Sequence, residues 1–181
     1  MSKPIPTQGA PALFTVEHDA PVLLRTYTAW HHFLARVLEK TRAPGFDVQC
    51  FVRLGTLPLE ADIIILHLDD QADTREFAKH FGFLMPSLRK YLILEYKSPQ
   101  DRLTWADFDT VRAYALLCKR KYDVVHDHEV AVAMLYSRTE ADFFSRCAHN
   151  GFPFAELQPG VRHCGSQAMG LYAADLVALG E

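Results

Sequence analysis

Tyr91-Leu92-Ile93-Leu94-Glu95-Tyr96-Lys97-Ser98-Pro99 decides the fold, because an apolar run there leads straight into a carboxylate and an ammonium before Ser98-Pro99 breaks it. The run predicts a buried strand. Side chains two apart in a strand share a face, so Glu95 and Lys97 point the same way. Charges at the end of a buried strand are costly unless they are paired or used. This strand end is therefore the first candidate for a site.

Working outward, residues 21–40 place Leu23, Leu24, Tyr27, Trp30, Leu34, Val37 and Leu38 at spacings of three and four, a helical stripe that Pro44-Gly45 ends. Residues 46–54 alternate as a half-exposed strand, and 60–68 read as a nearly continuous apolar strand of the central type. Residues 69–73 turn acidic, with a short helix expected over 75–80. After the opening strand, Thr104-Trp105-Ala106-Asp107 has the form of a capping box, and the helix it starts ends in Lys119-Arg120-Lys121. A fourth strand covers about 130–137. Beyond it lie a helix near 139–149, a Gly/Pro-rich turn around 151–160 and an apolar segment, 169–179, whose type stays open.

The order is helix, strand, strand, strand, helix, strand. Parallel neighbours need a long crossover, which the Thr104 helix supplies between the third and fourth strands, whereas hairpin neighbours come earlier. These expectations describe an α/β chain with a mixed sheet flanked by helices. It forms one domain over 1–181, with a loose arm at 1–12, a core at 21–137 and a C-terminal extension at 138–181.

Composition narrows the class. Hydrophobic residues at 49% and charged residues at 23% are those of a globular chain. No apolar run is long enough for a membrane span, and the N-terminus lacks the apolar core of a signal peptide, so a cytoplasmic protein is expected. Cys50, Cys118, Cys147 and Cys164 form no CxxC pair and read as buried thiols. The net charge of -3 argues against a general nucleic-acid coat, yet eight bases against four acids between Arg89 and Lys121 make a local basic surface.

Asp62 enters the second long strand as Glu95 and Lys97 leave the third. If those strands form an antiparallel pair, the three side chains converge. Carboxylate oxygens suit a hard cation such as Mg²⁺. Water acidified by the cation can attack a phosphodiester while a lysine steadies the developing charge. His126-Asp127-His128 offers ligand types without a partner cluster and reads as a surface turn.

Asp62 followed by Glu95-Tyr96-Lys97, in this element order, resembles the PD-(D/E)XK nuclease superfamily, with its restriction-endonuclease-like fold. Within it, the chain is most similar to small bacterial transposase-like members of the Rpn/YhgA group. The resemblance covers about 23–137 and implies Asp62 and Glu95 as metal ligands, the Tyr96 carbonyl completing the metal shell, and Lys97 as catalytic base or charge stabiliser. It further implies Mg²⁺ or Mn²⁺ as cofactor and DNA as the nucleic-acid partner. Glu39 stands where many members carry an additional acid, and Tyr114 matches the second residue of a Gln/Tyr pair whose first position is Thr110 here.

Two other readings follow from the same residues. One is a non-catalytic module that holds nucleic acid or protein on a nuclease-like scaffold. The other is a homodimer joined through the segment from Met169.

Overall fold

The computed structural model of the chain describes residues 29–40, 45–50, 64–69 and 73–180. Seven strands form one mixed sheet: β1 (Phe46–Cys50), β2 (Ile64–Leu68), β3 (Tyr91–Tyr96), β4 (Val130–Tyr136), β5 (Phe154–Gln158), β6 (Val161–Cys164) and β7 (Gly170–Asp175). Their spatial order is β1-β2-β3-β4-β7-β6-β5. The first three run antiparallel as a meander, β3, β4 and β7 are mutually parallel, and β6 and β5 return antiparallel at the far edge. The helices are α1 (Ala29–Lys40), α2 (Arg75–Phe81), α3 (Trp105–Lys121), α4 (Phe143–His149) and α5 (Leu176–Leu179).

The three parallel strands hold the centre because their sequences are apolar on both sides. Every residue of β4 is buried, as are all but the last of β3 and of β7. This is the pattern of strands covered on both faces. Alternation divides the core in two. Tyr91, Ile93, Val132, Met134 and Ala173 face α3 and α4, meeting Phe108, Val111, Ala115 and Phe143. Leu92, Leu94, Ala131, Ala133 and Ala174 face the other way, toward Leu38 of α1, Phe77 and Phe81 of α2, and Leu84 in the 3-10 turn Gly82–Ser87.

The expected crossover forms: α3 joins β3 to its parallel neighbour β4. The capping box forms too, with the Thr104 hydroxyl accepting from Asp107 N and Asp107 Oδ2 accepting from Thr104 N at 2.9 Å. Replacing Thr104 by Ala is expected to cost about 0.5–2 kcal/mol, read as a lower urea midpoint with an unchanged slope.

The part beyond 137 differs from its reading. The turn expected over 151–160 contains β5, an edge strand whose side chains are mostly exposed, so it carries no apolar alternation to read. The turn proper is Pro159-Gly160, where proline pre-sets its own backbone angle and Gly160 supplies φ +75°. The segment 169–179 splits into β7 and α5. Residues 154–175 thus complete the sheet rather than append to it, with β7 paired directly to β4. Upstream, Gly45 with φ +88° makes the turn into β1. The arm at 1–12, residues 51–54 and residues 60–63 lie outside the described residues.

Cys118, Cys147 and Cys164 are buried and free. Burial pushes the Cys118 and Cys147 thiols up to about 11, so both stay protonated. Among the described residues, no helix is long and apolar enough to cross a membrane.

Candidate active site at the end of the third strand

Antiparallel pairing of β2 with β3 sets Ile64 opposite Leu94. The strand that follows Asp62 in sequence is therefore the neighbour of the strand carrying Glu95. Asp62 itself lies outside the described residues.

Glu95 is the last inward residue of β3 on the α3 face and is buried. Its Cα partner on β4 is Met134. Lys97, one step beyond the strand, is held by its backbone N–H donating to Leu135 O at 2.8 Å. As the shared face predicts, Lys97 Nζ reaches Glu95 Oε1 at 3.0 Å. It also reaches Asp107 Oδ1 at 2.8 Å. Side-chain exposures are 11% for Glu95, 21% for Lys97 and 24% for Asp107, low enough that water screens the group less than an ordinary surface pair.

Asp107 was legible only as a helix cap. In the fold its two oxygens serve two ends: Oδ2 caps α3 through Thr104, and Oδ1 holds Lys97. The carboxylate therefore locks the start of α3 to the end of β3. The intervening loop is fixed as well, by the buried Ser98, whose hydroxyl donates to Asp101 Oδ2 at 2.7 Å. A signal for this role existed in the capping box itself, which starts within a short loop of Lys97. Its pairing with Lys97 needed the path of that loop.

The protonation states follow from these contacts. Burial alone would lower the Lys97 pKa, but Glu95 and Asp107 outweigh it and hold it above its ordinary value. Burial alone would raise the Asp107 pKa, but Lys97 and the Thr104 bonds hold it below its ordinary value. Since Lys97 is raised, its stabilisation is full below about pH 10.5 and is lost as pH rises through the folded value. Since Asp107 is lowered, its stabilisation is full above about pH 3.8 and is lost as pH falls through the folded value. Calorimetric melting across pH is expected to show losses at both ends, with Lys97→Met removing the alkaline loss due to Lys97 and reducing the acid loss, part of which the Thr104 bonds to Asp107 retain. A variant profile parallel to that of wild type would contradict this linkage.

The remaining candidates sit elsewhere. Tyr96 is partly exposed at the strand end, opposite Leu135. Tyr114, on the inner face of α3, is buried and packs in the core. Glu39 is exposed on α1, the helix covering the opposite face of the sheet from Glu95. His126 and His128 stack at 5.3 Å beside the 3-10 turn Asp127–Glu129, where Asp127 pairs with Lys119 and Glu129 with Lys90. Among the described residues, no group of three or more His, Cys, Asp or Glu side chains is placed to hold a metal ion.

The groups at the end of β3 that would hold a cation, the Glu95 carboxylate and the Tyr96 carbonyl, are oxygen donors. That chemistry fits Mg²⁺ or Mn²⁺ rather than a soft metal. Comparison of the chain with protein-family models, with curated proteins and with solved structures returns no match.

Proposed function

We propose that the chain is a divalent-metal-dependent nuclease that hydrolyses phosphodiester bonds of DNA through Asp62, Glu95 and Lys97. One observation carries the reading: a buried carboxylate and a lysine share one face at the end of a central strand, beside the strand that follows Asp62. The strands β1, β2, β3 and β4 lie adjacent in that sequence, with α1 before them, α2 inserted between β2 and β3, and α3 between β3 and β4, an arrangement compatible with a restriction-endonuclease-like core that carries an insertion.

In this reading Glu95, Asp62 and the Tyr96 carbonyl hold the cation. When bound, it supplies acidification of water and neutralisation of phosphate charge. Lys97 is an ammonium at neutral pH, so its role is to steady negative charge growing on the phosphate and not to accept a proton. Asp107 positions it, because its carboxylate keeps the ammonium in place when Glu95 turns to a cation.

The test is cleavage of single- and double-stranded DNA with Mn²⁺ or Mg²⁺ by wild type, Asp62→Asn and Glu95→Gln. Loss of activity in both variants is the expected result. Equal trace cleavage by all three proteins would sink the assignment.

A second reading has its own support. The Glu95–Lys97–Asp107 network is already complete as a clasp between β3 and α3, as a non-catalytic binding module would need. Calorimetric titration with Mn²⁺ separates the two, since a module shows no binding that depends on Asp62 and Glu95.

A further inference from the structure

The C-terminal ends of β3, β4 and β7 emerge along one edge of the sheet because the three strands are parallel. Here the edge carries a cleft of about 700 Å³ at the ends of β4 and β7. Arg102, Arg138 and Arg162 line it, together with Tyr136, Asp175 and Glu156.

The arginines come from three separate segments. Arg102 lies in the β3–α3 loop, which a bridge between Leu103 and Thr139 ties to the end of β4. Arg138 follows β4, and its Nη2 donates to Gln100 O at 2.5 Å. Arg162 is in β6, opposite Ala173 of β7, and lies over the Phe144 ring at 4.5 Å. Among the described residues none of the three forms an ion pair, and Arg102 has no polar partner. Of the two acids, Asp175 spends its carboxylate on the backbone of α5, accepting from Val177 N at 3.0 Å and Ala178 N at 3.2 Å. Glu156, exposed on the edge strand, is the Cα partner of Arg162 and offsets part of its charge, which leaves Arg102 and Arg138, among the described residues, as the arginines with no acid opposite them in the register.

Register connects this cleft to Glu95. Glu95 pairs with Met134, Met134 with Ala173, and Ala173 with Arg162, so one row of side chains crosses the sheet on the α3 face. Three strand spacings of about 4.8 Å separate its ends, or about 14 Å. A span of that length reaches across a few successive phosphates of one strand. Three arginines from separate segments lining one cleft suit more than a single phosphate. The Phe144 face is covered by Arg162, which leaves the cleft suited to phosphate and not to a stacked base.

We infer that the cleft lined by Arg102, Arg138 and Arg162 binds the phosphate backbone of a nucleic-acid strand, holding it a few nucleotides from the bond presented to Glu95 and Lys97. The inference rests on the nuclease reading of those two residues and adds the substrate-binding surface to it.

The test uses the full chain in EDTA, where binding is read without cleavage. Fluorescence anisotropy follows a labelled oligonucleotide, single-stranded and duplex, across a series of salt concentrations. Arg102→Ala and Arg138→Ala are each expected to weaken binding and to reduce the slope of log affinity against log salt by about 0.7 to 0.9. Arg162→Lys is expected to keep the slope, and Arg120→Ala, on the exposed end of α3, to behave as wild type. Wild-type affinity and slope in both alanine variants would overturn the inference, as would absence of wild-type binding. Competition by a mononucleotide as strong as by the unlabelled oligonucleotide would also overturn it, in favour of a small phosphorylated ligand. Cleavage with Mn²⁺ is measured alongside. If it is absent while the arginine-dependent slope remains, the nuclease reading falls alone. If it persists with unchanged KM in the arginine variants, the cleft assignment falls alone.

Discussion

Under the proposed nuclease function, Lys97→Met is expected to lower metal-dependent DNA cleavage by about 10²–10³-fold, the cost of removing one pre-placed group that stabilises transition-state charge. The effect should fall on kcat, since the ammonium is needed where charge develops. The same substitution has a structural cost. It leaves Glu95 and Asp107 without their shared cation, and removing one partner of an ionic hydrogen-bonded group costs about 1–3 kcal/mol. Partial exposure of all three side chains keeps this below the figure for a fully buried pair. Lys97→Arg separates the two consequences. It retains the positive charge between the carboxylates, so the melting temperature should stay near that of wild type. Its planar fork presents donors in a different geometry, so cleavage should remain impaired. Full activity in Lys97→Met would remove lysine from the mechanism.

Phe108→Ala is expected to destabilise the fold by about 3–5 kcal/mol, the range for deleting a buried phenyl ring. Phe108 is completely buried, and its ring sits among those of Trp105 at 5.4 Å, Phe143 at 6.3 Å, Phe152 at 5.2 Å and Phe154 at 5.9 Å. It thereby joins α3 to α4 and to the start of β5, three segments far apart in sequence. A cavity there cannot be filled by α3 shifting alone, because three of the bordering rings, Phe143, Phe152 and Phe154, come from outside α3. Against a typical total of about 5–15 kcal/mol for a domain, the loss is large. Urea denaturation measures it directly, and a change under about 1 kcal/mol would show that the cluster collapses onto the vacancy. Since Phe108 and Asp107 are adjacent on the first turn of α3, the aromatic cluster also supports the helix end that holds Lys97.

The elements from α1 to β4 were legible because each obeys a rule acting along the chain. Continuous apolar runs marked β3 and β4, a spacing of three and four marked α1, and the Thr104–Asp107 pair marked the start of α3. The edge strand β5 was illegible for the converse reason. Its side chains meet solvent, so burial imposes no pattern on its sequence, and only pairing with β6 makes it a strand. The segment 169–179 was ambiguous because β7, covered on both faces, reads as plain apolar chain with no period to distinguish strand from helix.

For the candidate site, the residues Tyr91 to Lys97 by themselves determined that Glu95 and Lys97 share a face at the end of a buried strand, since a period of two leaves no other arrangement. Tertiary structure alone decided that Asp107 completes their ion network, that Tyr114 packs in the core, that Glu39 lies exposed on the helix over the other face, and that three arginines border one cleft beside them. The physical reason is the same in each case. A side chain's near neighbours follow from local backbone geometry, whereas contacts between segments depend on crossovers and strand order that no stretch of this sequence encodes by itself.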